Sequence, residues 1–225
     1  MTAEGAGDPA CGDPGKAARD LFYVTISGLF RLQLSIMNNK EFVSQIPQPA
    51  VSRFIFSDTR AAWIWLVPRV YVGWIWLQYG WDKVNSPLWT GDKAGLVVKG
   101  MMNGAINKST GELADVMKWY AFLLEKIVVP NAEAVAHIVA YGELLVGIGL
   151  IVGALSGIAA FFGLTMNICY LFAGTVSVNP PLAVAQLFLV LSWRVCGWVG
   201  LDRVLLPQLG TPWQPGRLFT KKAAT

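Results

Sequence analysis

From Ala134 to Gly200 the chain consists almost wholly of apolar residues, divided into runs of about Ala134 to Leu155, Gly157 to Val178 and Leu182 to Gly200. A fourth run, about Ala61 to Tyr79, precedes them. Each approaches the ~20 residues that cross ~30 Å of hydrocarbon. Lipid offers a backbone no hydrogen bonds, so such runs close their own bonds as α-helices. The few residues between the last three runs make them antiparallel neighbours. Trp63 and Trp65 near one end of the first run, and Trp74, Trp76 and Trp81 towards the other, read as aromatic girdles. Charged residues make up 14% of the chain against a usual ~25%, too few for an ordinary soluble surface. The expected fold is all-α, an integral membrane four-helix bundle with spans of about 61–79, 134–155, 157–178 and 182–200.

The flanking segments follow from composition. Residues 1–20 mix Gly, Ala and Pro with four acids and read as a tail. Residues 21–60 read as an interfacial segment, an amphipathic run from Leu21 to Met37 followed by a connector from Pro47 to Arg60. The bundle domain is 61–204, and 205–225 is a C-terminal tail. Between the first two spans, residues 82–131 hold six lysines and a helical run, Ala114 to Val129, and form a structured loop. Four crossings put both tails on one side; Arg53, Arg60, Arg203, Arg217, Lys221 and Lys222 lie there against Lys83, Lys93, Lys118 and Lys126 in the loop, and both tails are expected in the cytoplasm. The expected location is the prokaryotic cell membrane. The net charge of +4 is scattered and forms no stripe for nucleic acid, so the bilayer is the expected partner. Three cysteines and one histidine, His137, assemble no zinc site or disulfide framework, and no metal is expected.

Charge at membrane depth is costly and marks sites or helix contacts. Counting ~1.5 Å per residue from the tail side puts Arg69 at roughly 12 Å, Glu143 at 16 Å, Asn167 at 14 Å and Arg194 at 9 Å. The four share one slab, where Arg69 would pair with Glu143 through two donors. Glu143 is the candidate to hold or pass a proton, with Arg69, Asn167 and Arg194 as ligand contacts. Interhelical glue is the plainer reading of Arg69 with Glu143, and a lipid headgroup contact that of Arg194. His137 is a candidate proton shuttle oriented by Glu133, or a structural residue at a helix end. Gln186 and Asn167 read as interhelical hydrogen-bond partners before ligand contacts, and Gly149, Gly153 and Gly157 as a close-packing series at the turn between the second and third spans. No nucleotide, haem or paired-cysteine motif is present, so an electron carrier would be a separately bound quinone or belong to another protein.

Several stretches together resemble the DoxD branch of the DoxX family, the membrane subunit of thiosulfate:quinone oxidoreductase. They are Phe56–Arg60 leading to Trp63, Arg69–Gly73, Gly80–Lys83, Trp119-Tyr120, Tyr141–Gly147, Met166-Asn167, Ala173–Pro180 and Gly200–Arg203 running into Leu205–Pro207. The resemblance implies a four-helix membrane protein passing electrons from thiosulfate to quinone, giving tetrathionate and quinol. Quinone would be a bound substrate, with no tightly bound cofactor and with a DoxA-type or other sulfur-handling subunit as partner. It carries over Arg69, Glu143, Asn167, Asn179 and Asp202 as matching positions. The competing expectations are a non-catalytic membrane assembly or anchoring protein and, last, a small-anion channel.

Overall fold

The structure, a computed structural model, describes residues 21–32, 48–111, 114–211 and 214–219. The tail read at 1–20, the interfacial residues 33–47 and the last six residues lie outside them. The chain divides into two units, Met1–Gln48 and Pro49–Thr225. In the first, α1 (Leu21–Leu32) is exposed along its length. Its Thr25 and Ser27 hydroxyls turn back onto the carbonyls of Leu21 and Val24, leaving it apolar nearly all round.

The second unit is helical, with one two-residue β pair, Gly210–Thr211 against Gln214–Pro215. It runs α2 (Ala50–Ser57), a 3-10 turn (Thr59–Ala61), α3 (Ala62–Val84), α4 (Leu96–Asn107), α5 (Lys118–Leu123) continued by a π turn to Val128, α6 (Ala132–Val152), α7 (Ser156–Phe172), α8 (Asn179–Leu191) and α9 (Asp202–Leu209). The main packing is α3 on α6, α6 on α7 and α7 on α8, with α8 returning to α3. These four helices enclose a core of Trp65, Val72, Trp76, Val146, Leu150, Leu182 and Leu189. Helices α4 and α5 cap one end through Ala105, Val116, Tyr120 and Leu124. That end is the loop side; the end where α3 begins is the tail side.

Three of the expected spans change: α3 runs on to Val84, while α7 and α8 stop at Phe172 and Leu191. Among the described residues one helix, α6, is by itself long and apolar enough to cross a membrane. The fourth expected span, 182–200, is helical only to Leu191, and residues 192–201 form a series of turns. The Ser192 hydroxyl takes up the carbonyls of Phe188 and Leu189, in competition with helix continuation. A Cβ at Gly197 would overlap the Asp202 carboxylate, so the chain passes that point only as glycine.

Close packing falls at the expected glycines, where a Cβ at Gly149 would crowd Ala159 and one at Gly157 would overlap Trp193, and also at two more. A Cβ at Gly80 would overlap the backbone of Leu144, and one at Gly147 the backbone of Leu77, so these glycines bring α3 and α6 into backbone contact. Gly153, in the expected small-residue series, ends α6 in the left-handed conformation at φ 73° and lies against Gly200 and Arg69.

Candidate functional site

The antiparallel register of α3 and α6 sets the site. Gly80 lies against Leu144 and Gly73 against Leu150, so Glu143 stands level with the end of α3 nearest the loop. One turn past Gly80, Lys83 falls on the same face, and its ammonium forms an ion pair with Glu143. The Tyr170 hydroxyl, from α7, donates to the other carboxylate oxygen at 2.6 Å. Glu143 is 1% exposed and the Lys83 side chain 19%, so the carboxylate is sealed while the ammonium reaches towards a cavity. The Trp89, Tyr79 and Tyr170 rings stand 4.9, 5.8 and 6.0 Å from the ammonium and stabilise it through their faces.

The cavity is about 180 Å³ and draws its wall from α3, α4, α6, α7, α8 and the Thr175–Val178 connection. Asn167, one turn before Tyr170, lines it and donates to Gln186. The carbonyl oxygen of Asn167 and the indole nitrogen of Trp76, also in the wall, have no partner among the described residues. Asn179 lines the mouth, where its amide donates to the Thr175 carbonyl at 2.8 Å.

Arg69 does not meet Glu143. Eleven residues separate Arg69 from Gly80, about 16 Å along α3, which puts it at the opposite end of α6 beside Gly153. There it donates to the carbonyls of Cys196 and Val199 at 2.9 and 2.8 Å, groups that the broken end of α8 leaves without helix partners. Asp202 completes this clasp. Its carboxylate accepts from the backbone nitrogens of Leu155 and Ser156, at 2.5 and 2.9 Å, and so starts α7 and holds Leu155 at φ 49°. Arg69 and Asp202 thus fasten the tail-side end together, and of the expected slab of four polar residues only Glu143 and Asn167 share a cavity.

Two further candidates stand apart from the cavity. His137 lies six residues before Glu143, about 9 Å and a third of a turn away. Its Nδ1 meets the Glu133 carbonyl at 2.9 Å and its ring stacks on Tyr141. Arg194 is exposed, with its guanidinium 5.4 Å from the Trp193 ring centre. Of the residues singled out in the sequence, Glu143, Asn167 and Asn179 converge on one cavity.

The residues missed are Lys83, Tyr170 and Trp76. Hydropathy assigns Lys83 to the polar loop, yet Trp76, Gly80 and Lys83 recur at helical spacing, the signal that α3 runs five residues beyond its apolar run. Residues 64–176, half the chain, match the model of the DoxX family. The chain belongs to the DoxX family. No curated protein and no solved structure matches it. The DoxX match contains Lys83, Glu143, Asn167 and Tyr170, whereas Gln186 and Asp202 lie beyond it.

A second cavity of about 300 Å³ adjoins the polar one, with Trp89, Met101 and Tyr170 in the walls of both. Its other sides are mainly aliphatic, among them Met102, Leu124, Val135 and Met166. A small polar chamber beside an apolar one suits a ligand with a compact polar head and an apolar tail. A larger groove, about 570 Å³, between the start of α7 and α9 offers little polar chemistry, because Asp202 is turned inward to cap α7.

Proposed function

We propose that this DoxX protein is a four-helix membrane subunit of an oxidoreductase, passing electrons from a sulfur compound such as thiosulfate to a quinone whose ring occupies the cavity over Lys83, Glu143 and Tyr170. The observation that carries it is the sealed carboxylate with two proton-bearing groups on it, at the junction of a polar and an apolar chamber.

The membrane setting draws support from the distribution of polarity. Arg69, Glu143, Asn167 and Gln186 are buried, while Val67, Ile138, Leu145 and Phe162 stand more than half exposed. Water would favour the reverse, and such a surface suits lipid. Family membership and the length of α6 point the same way. The prokaryotic cell membrane, with both tails in the cytoplasm, is the setting proposed.

Reduction of a quinone to its quinol takes up two electrons and two protons. Lys83 would present its remaining N–H donors to a ring carbonyl, and Glu143 would balance the charge of Lys83 and pass on the proton of Tyr170. The indole of Trp76 offers one more donor in the wall. Two thiosulfate ions joining as tetrathionate release the two electrons, which a DoxA-type or other sulfur-handling subunit would relay. The test is quinone reduction by membranes containing the protein, with thiosulfate, alone and with candidate partners. Glu143→Gln is expected to lower the rate about a hundredfold or more; a rate equal to wild type would overturn the assignment.

A second reading, a non-catalytic assembly or anchoring protein, rests on Arg69 and Asp202, whose side-chain bonds go to holding backbone. Loss of stability in cavity variants without loss of any measured quinone binding or reduction would favour it.

A further inference from the structure

We infer that the tail-side end of the molecule carries a site for the phosphate of an anionic phospholipid, held between Arg60 and Arg203 and flanked by Trp63 and Trp198. It rests on the membrane reading above but not on the quinone site, which lies at the other end of α3.

A surface cavity of about 500 Å³ is lined by Thr59, Arg60, Trp63, Trp198 and Arg203 together with the Val199–Gly200 backbone. A second, of about 520 Å³, lies on the other side of Arg60 and is lined by Arg53, Phe54 and Asp58 among others. Thr59 and Arg60 belong to both. Three guanidinium groups therefore border one continuous strip at the foot of α3, against one carboxylate. Asp58 binds Arg60 at 2.7 Å and stays ionised at neutral pH, since Arg60 beside it holds its carboxyl down at about 2. The strip keeps a net positive charge of about two, with Arg53 and Arg203 the outer cations.

The surroundings are rigid on the protein side. Asp58 also accepts from the Arg60 backbone nitrogen at 2.9 Å, which fixes the 3-10 turn, and the Val199 carbonyl is held from within by Arg69. The Trp65 indole donates to the Ile55 carbonyl at 2.8 Å and pins α2 beside the turn. Arginine matches the geometry of a phosphodiester through paired donors, and tryptophan favours the level of lipid headgroups. Trp63 is 67% exposed, placed to lie along the first carbons of an acyl chain while the phosphate sits between the arginines. Free phosphate offers the same oxygens but nothing for the two indoles, so the lipid is the occupant proposed.

The test uses the full chain reconstituted in phosphatidylcholine vesicles, with bromine-labelled phosphatidylglycerol or phosphatidylcholine as quencher of tryptophan fluorescence. Phosphatidylglycerol is expected to associate at least about fivefold more tightly than phosphatidylcholine, the factor for one arginine near the surface, and more with two. Arg60→Gln with Arg203→Gln should bring the ratio close to one, and Asp58→Asn should raise it above wild type. Both arginines are exposed, so helical content should be unchanged. Equal association of the two lipids in wild type would overturn the site and leave the membrane reading standing. No quenching by either lipid would overturn both. Abolition of the preference by millimolar inorganic phosphate would reassign the site to the free anion.

Discussion

Two donors meet the Glu143 carboxylate, and they differ in how far they reach water. Lys83 keeps a fifth of its side chain exposed, while Glu143 is closed off. The two halves of the pair are therefore unequal when broken. Lys83→Met would strand a buried carboxylate and cost about 3 kcal/mol, whereas Glu143→Gln leaves an ammonium able to turn outward and should cost clearly less. The double variant should regain most of the loss, because no unpaired charge then remains. Thermal unfolding of the four proteins in one detergent checks this; equal losses for the two single variants would mean the carboxylate is not sealed. Glu143 is legible in the sequence because an acid within an apolar run is too costly to bury without a partner or a use. Lys83 is not, because hydropathy ends the run at Tyr79 and assigns the next charges to a loop. A lysine at the end of a helix can fold its charge inward against aromatic rings, and hydropathy has no access to that choice.

Helix order and the extent of α6 are legible from apolar runs, but the ends of α3, α7 and α8 and the vertical register of the helices are not. Counting depth from the ends of α3 and α6 places Arg69 and Glu143 within a few ångströms, on the premise that both helices start at one plane. In the structure α3 overshoots the end of α6 by about two turns, so that Arg69 stands level with Gly153. The register is fixed by Gly80 and Gly147, whose missing side chains let two backbones touch. Gly80→Ala should push α3 and α6 apart and cost about 1–3 kcal/mol, with Gly147→Ala similar and Gly104→Ala, where a Cβ meets open space, near neutral or stabilising. Arg69→Met gives the complementary check on the division into two polar groups. It strips the donors from the Cys196 and Val199 carbonyls and should cost about 3 kcal/mol or more, measured by thermal unfolding. The affinity of a quinone analogue, titrated well below the melting temperature, should not change. A large loss of affinity in Arg69→Met would return this arginine to the ligand site.

For the whole molecule, the paired burial of Lys83 alters the balance of charge across the proposed membrane. Positive charge orients a bundle most strongly when it lies free and close to the ends of its spans. On the tail side Arg53, Arg194 and Arg203 meet that condition, all of them exposed, and Lys221 and Lys222 follow within the same short tail of the sequence. On the loop side Lys83 is neutralised by Glu143, Lys108 is tied to the Gly174 carbonyl at 3.1 Å, and Lys126 is bonded to Glu125 at 2.9 Å. Lys93, Lys99, Lys108, Lys118 and Lys126 are the exposed lysines there among the described residues. In the orientation proposed above, the tail side lies in the cytoplasm and the capped, cavity-bearing end faces outward. In a chain with Cys11 and Cys169 replaced by alanine, Thr110→Cys should react with an impermeant maleimide added to intact cells, and Ser57→Cys only after the cells are opened. The reverse pattern would turn the molecule over, placing the cavity mouth on the cytoplasmic side and a sulfur-handling partner inside the cell. Between these two positions the chain has α3 as its one proposed crossing, so labelling of both from outside would remove α3 as a span.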